Sequence, residues 1–127
     1  MRRGLLLGIV AWALATLLFR RFAHVLLGYD ETTYAIMFVA GGILAALVAA
    51  VFVYYGCEPG KSLRFGMGLV IPGLILDSAV VLMFPTVFPY ADPGMGGKFG
   101  ALMLWGYGII LATILLFGPR LERRTRR

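Results

Sequence analysis

Asp77 is the residue best placed to do chemistry in this sequence, because it lies in the first third of a mostly apolar stretch, residues 71 to 94, that is punctuated by prolines. If its helix starts near residue 67, a rise of 1.5 Å per residue places the carboxyl about 15 Å deep, near the centre of a bilayer. An ionised carboxylate at that depth costs about 2.5 to 3.5 kcal/mol on insertion scales. We therefore expect Asp77 to face other helices and to be hydrogen-bonded, paired or protonated.

Four donors are predicted at a depth that suits this carboxyl. The first is the indole N–H of Trp12, since tryptophan normally occupies the headgroup belt and an indole near the midplane needs an acceptor. The others are the hydroxyls of Thr16, Tyr107 and Thr113. Gly73, one turn before Asp77, leaves space for another helix. This intramembrane polar site is predicted either to hold helices together or to relay protons or cations.

Other chemistry has weak support in the sequence. One cysteine and one histidine exclude an intramolecular disulfide, a CxxC redox pair, a Cys/His zinc site and a haem held by two histidines. His24 is predicted to be an interfacial histidine, with a role as the single axial ligand of a pigment or haem as the alternative. Cys57 is predicted to be a small apolar filler rather than a lipidation site. No cofactor and no metal is expected.

The solvent that surrounds these residues follows from composition. The chain has 127 residues, of which 61% are hydrophobic and 14% charged, with a mean hydropathy of +0.89. Soluble domains carry about 25% charged residues. The sequence therefore predicts an integral membrane protein with a single domain, residues 1–127, and no soluble domain.

Four apolar runs are long enough to cross a bilayer. They cover residues 4–22, 34–57, 67–88 and 101–118. Strands are excluded because lipid cannot satisfy open sheet edges and the runs lack the alternation of a barrel wall. The glycines and prolines of residues 89–100 are predicted to form a turn. The predicted fold is an all-α, four-helix antiparallel transmembrane bundle.

Basic residues are distributed unequally between the two predicted sides. With the N-terminus inside, nine of the twelve are cytoplasmic, and only Arg20, Arg21 and Lys98 are outside. The positive-inside rule then predicts that both termini are cytoplasmic. The net charge of +6 is thereby explained by topology, and no nucleic-acid partner is expected. The residues predicted to meet lipid headgroups are Arg20, Arg21, Arg120, Arg123 and Arg124.

Small residues predict where helices pack, since lipid gives apolar helices no hydrophobic drive to associate. Gly4 and Gly8 mark one face of the first span. Gly42, Ala46 and Ala50 mark the second span, beside a parallel stripe of Gly41, Ala45 and Ala49. These faces are expected to pack within the bundle, with contact to a second protein as the alternative.

Three motifs in the second half are distinctive together: PGLILD at 72–77, FPTVFP at 84–89 and GKFGALMLWGY at 97–107. They resemble a family of small bacterial four-span membrane proteins with no assigned activity. The resemblance implies an all-helical protein of the bacterial inner membrane, and it carries over no catalytic residue.

Two function classes fit these observations. The first is a non-catalytic accessory or scaffold subunit of a larger assembly in the lipid bilayer, whose partner is another membrane protein. The alternative is a small proton- or cation-coupled transporter that acts as a dimer, with Asp77 as the titrating group. An enzyme is not expected, because intramembrane catalysis needs at least two cooperating polar groups.

Overall fold

The structure, a computed structural model, describes residues 2–26, 30–58 and 60–125, without the side chains of residues 23–26 and 121–125. Over these ranges the chain is helical, and the predicted all-α fold is confirmed. The long helices are α1 (Arg2–Leu26), α2 (Glu31–Gly56), α3 (Ser62–Leu82) and α5 (Gly96–Thr125). A short helix α4 (Phe84–Val87) and one 3-10 turn (Pro93–Met95) lie between α3 and α5.

The four long helices pack in the order α1, α3, α5, α2. Each of the described long helices is apolar and long enough to cross a membrane. Helices α1 and α2 are neighbours in sequence but touch each other little, so α3 and α5 form the centre of the bundle. Helix α3 is the most buried of the four. Any polar side chain on its inner face is therefore positioned by α1 on one side and α5 on the other.

Two glycines bring α1 against the backbone of α3. A Cβ added at Gly4 would lie 2.6 Å from the carbonyl oxygen of Phe65, and one added at Gly8 would overlap the carbonyl of Leu69. Both glycines are buried. Because they are four residues apart on one face of α1, they let the two backbones touch over a full turn.

The contact of α2 with α5 follows a different line from the predicted stripe. Gly42, Ala49 and Val53 are the buried residues of α2, whereas Ala46 and Ala50 are only half-buried. The reason is geometric, since at about 100° per residue Ala49 and Val53 lie within about 20° of the Gly42 direction, whereas Ala46 and Ala50 are rotated about 40° and 80° from it. Gly42 meets Trp105, and Ala49 packs with Val53 and Ile114.

Several helix boundaries differ from the predicted spans, since α3 already begins at Ser62 and α5 extends to Thr125. Helix α3 continues through Pro72 but ends at Leu82, and a new helix begins at Phe84, because Pro85 has no N–H to donate to a preceding carbonyl. Helix α5 begins at Gly96, five residues earlier than predicted. Gly96 is buried where a Cβ would lie 3.4 Å from the Phe84 ring, so packing stabilises a glycine-rich helix start that local propensity disfavours.

Four phenylalanines close the end of the bundle at the α3–α5 connection. Phe84, Phe88 and Phe99 are buried, and their ring centroids lie 5.0 to 5.7 Å apart. Phe19 of α1 meets Phe99 edge to face at 5.4 Å. Such aromatic pairs contribute about 0.5 to 1.5 kcal/mol each beyond their burial. The cluster holds α1, α4 and α5 together two turns beyond Asp77.

Candidate functional site at Asp77

The carboxyl group of Asp77 lies between three helices. The side chain is on α3 and is 6% exposed. The indole Nε1 of Trp12, on α1, donates to Oδ1 at 2.8 Å, and the hydroxyl of Tyr107, on α5, donates to Oδ2 at 2.5 Å. Each carboxyl oxygen therefore connects α3 to a different neighbour.

Gly73 makes the contact with Tyr107 possible. A Cβ at this position would overlap the phenol, lying 2.8 Å from Cζ and 2.9 Å from Cε1 of Tyr107. The ring can rest on the α3 backbone only because residue 73 has no side chain. One turn later on the same face, Asp77 meets the hydroxyl.

The structure does not bring the two predicted threonines to this carboxyl. Thr16 lies one turn beyond Trp12 on α1, and Thr113 lies six residues from Tyr107, which is about 9 Å along the helix axis. Neither donates to Asp77, whose described partners are Trp12 and Tyr107. Arg20 is exposed, and no ion pair within the described residues involves Asp77.

A cleft between α3 and α5 reaches the same carboxyl from the outer surface of the bundle. Its volume is about 430 Å³. The polar residues that line it, its polar floor, are Asp77, Ser78 and Tyr107, and the other lining residues are apolar. The Ser78 hydroxyl donates to the carbonyl oxygen of Leu74 at 2.8 Å. The remaining lining residues are Val81, Leu82, Gly100, Met103 and Leu104.

Sequence reasoning missed a second indole contact between helices, at the partly exposed Trp105. Its Nε1 donates to the carbonyl oxygen of Phe38 at 3.1 Å, and its ring stacks on Phe38 at 5.1 Å. A Cβ at Gly42 would lie 2.8 Å from the same Nε1. The sequence feature that could have predicted this contact is Gly42, one turn after Phe38. A glycine on an inner helix face indicates that a large side chain of another helix packs against it.

The predicted headgroup arginines lie at the helix ends as far as their side chains are described. Arg20, Arg21 and Arg120 are exposed. The Arg21 and Arg120 guanidinium groups sit 5.9 Å and 6.0 Å from the ring centroids of Phe22 and Phe117. The side chains of Arg123, Arg124 and His24 lie outside the described residues.

The connection between α2 and α3 is polar. Cys57 is half-buried, and its thiol donates to the carbonyl oxygen of Glu58 at 3.2 Å. Glu58 forms an ion pair with Lys61 at 2.5 Å, and this bond lowers the pKa of the exposed Glu58 carboxyl below its usual value. Among the residues the structure describes, no group of three or more His, Cys, Asp or Glu side chains is placed to hold a metal ion.

Four long apolar helices around a buried carboxyl define a multi-pass membrane protein. The chain belongs to a family of unknown function, DUF5367, whose model matches residues 26–119, more than half of the sequence. Asp77, Gly73 and Tyr107 lie within the matched part, and Trp12 precedes it. No curated protein and no solved structure matches the chain.

Proposed function

We propose that this protein is a non-catalytic integral membrane protein, acting as an accessory or scaffold subunit of a larger membrane assembly. The observation that carries the proposal is the use of Asp77, whose two oxygens each accept a hydrogen bond from a different helix. A carboxyl held in this way connects α1, α3 and α5. Its role is to fix the shape of the bundle.

The same geometry argues against catalysis at this site. The Trp12 and Tyr107 hydrogens both point at Asp77, and the nearby Ser78 hydrogen is donated to a backbone carbonyl. A general acid or a nucleophile with its base needs a hydrogen or a lone pair directed at a substrate and a cooperating group beside it. All three hydrogens are donated to acceptors within the protein, which suits a structural role.

The proposed setting is the bacterial inner membrane with both termini cytoplasmic. Cysteine substitutions at Arg126 and at Asp92 test the orientation, in a Cys57→Ala background that removes the native thiol. In intact cells we expect an impermeant maleimide to label the Asp92 position, which lies in the α3–α5 connection, and to spare the Arg126 position until the cells are opened. Labelling of the Arg126 position in intact cells would contradict this topology and place the C-terminus outside.

Isolation from native membranes in a mild detergent tests the subunit role. We expect the tagged protein to elute with another membrane protein in a fixed ratio that survives dilution and a second column. The control is an unrelated four-span protein with the same tag and expression level, which should not retain that partner. Elution of the protein alone, or only as a homodimer, would contradict the proposal.

A second candidate function is a small proton- or cation-coupled transporter that works as a dimer. It is favoured by one specific observation, the cleft that reaches Asp77 from the bundle surface. Transport would require a titratable group at this position, so Asp77→Asn should abolish flux in proteoliposomes while the fold survives. In the structural role the same substitution leaves assembly with the partner intact.

A further inference from the structure

Both hydroxyl hydrogens in the cleft between α3 and α5 are donated within the protein, while acceptor oxygens remain. Tyr107 gives its hydroxyl hydrogen to Asp77, and Ser78 gives its hydrogen to the carbonyl oxygen of Leu74. A hydroxyl oxygen has two lone pairs and so does each carboxyl oxygen, so these groups keep acceptor capacity after their described bonds. The polar floor of the cleft is therefore complementary to a donor.

The rest of the cleft is suited to an apolar body. Leu74, Val81 and Met103 form its walls, and Leu82 and Leu104 stand at its exposed rim. Its volume of about 430 Å³ lies within the range of about 300 to 1,000 Å³ that small-molecule sites occupy. The cleft opens on the apolar side of the bundle, so a ligand would reach it from within the bilayer.

We infer that this cleft binds an amphipathic amine, with an apolar body against the α3 and α5 walls and a protonated nitrogen donating to the oxygens of Asp77, Tyr107 and Ser78. An ammonium group supplies several hydrogens and the charge opposite to that of a carboxylate. Carboxylates, phosphates and carbonyl compounds bring only further acceptors and are excluded by the same geometry. This site goes beyond the proposed subunit role and does not depend on it.

The binding test uses three ligands that share one apolar body. Pyrenylmethylammonium, pyrenemethanol and pyrenecarboxylate are added separately to the full chain in nanodiscs of zwitterionic lipid, and quenching of tryptophan fluorescence is followed. We expect saturable quenching by the ammonium compound, at least tenfold weaker binding of the alcohol, and only the linear quenching of lipid partitioning for the carboxylate. Equal affinity for the three compounds would show that the cleft binds the apolar body whatever polar group it carries, which overturns the inference.

Two matched variants test whether the ligand binds in the cleft. Ser78→Leu removes an acceptor and fills the floor, whereas Ala79→Leu adds the same side chain at the next position, which does not line the cleft. Both positions are exposed, so both variants should fold. We expect Ser78→Leu to lower ammonium affinity at least tenfold and Ala79→Leu to leave it unchanged. Equal effects of the two variants would overturn the site.

Asp77→Asn removes the negative charge of this side chain and keeps its shape. The amide keeps an acceptor for Trp12 and can donate to the Tyr107 oxygen, while the negative charge is lost. We expect a further loss of at least tenfold in ammonium affinity and little change for the alcohol. Wild-type ammonium affinity in this variant would contradict the role of the carboxylate. These experiments measure ligand binding, whereas the test of the subunit role measures retention of a partner protein. The amine site and the subunit role can therefore be disproved independently of each other.

Discussion

Gly73→Ala is expected to destabilise the protein strongly, because the new methyl group would occupy the space of the Tyr107 ring. Overpacking in a close contact costs about 1 to 3 kcal/mol. Displacing the ring also lengthens the hydroxyl bond to Asp77, and bonds to charged groups contribute about 1.5 to 3 kcal/mol. We expect the free energy of unfolding, measured by SDS titration in micelles of a mild detergent, to fall by several kcal/mol.

Gly108→Ala is the matched control for this change. It makes the same substitution next to Tyr107, at a position where a Cβ meets nothing within 4 Å. Removing a glycine from a helix interior favours the helix by about 1 kcal/mol, so the control should be neutral or slightly stabilising. If Gly73→Ala and Gly108→Ala unfold at the same SDS fraction, the α3–α5 contact does not have the geometry described here.

The fold was predictable because a bilayer leaves few alternatives. Four apolar runs separated by polar or glycine-rich connections can only form helices in lipid, since every backbone group must be satisfied within its own segment. Packing faces were harder to predict. Gly8 was predicted because a glycine on a helix face indicates close approach of another helix. Which residues of α2 contact α5 depends on the angle at which the two helices cross, and that angle cannot be predicted from the sequence of α2 alone.

The candidate site was predictable from depth and chemistry up to a limit. A midplane carboxyl and a midplane indole each lack a partner in lipid, so Asp77 and Trp12 could be proposed together. Tyr107, Thr16 and Thr113 were equivalent by depth, and only the structure, through Gly73, places the tyrosine at the carboxyl. The cleft could not be predicted, because it is a gap between side chains of two helices and depends on how those helices pack.

Asp77→Leu is expected to be the most damaging single change at the site. Leucine has the same branched arrangement of four heavy atoms, with larger methyl groups, but leaves the Trp12 N–H and the Tyr107 O–H without an acceptor between helices. An unsatisfied buried donor costs about 1 to 3 kcal/mol, so the unfolding free energy should fall by about 2 to 6 kcal/mol if neither donor finds another partner. Trp12→Phe in the Asp77→Leu background should recover part of this loss, because it removes one orphaned donor.

Asp77→Asn, compared with Asp77→Leu, tests most directly whether this residue is a structural connection between helices. Asparagine can accept from the Trp12 indole and donate to the Tyr107 oxygen, so both interhelical bonds survive without the charge. We predict that the unfolding free energy of Asp77→Asn, measured by SDS titration, stays within about 1 kcal/mol of the wild-type value while that of Asp77→Leu falls well below it. Equal losses in the two variants would contradict the account, because hydrogen-bonding capacity at residue 77 would then not hold α1, α3 and α5 together.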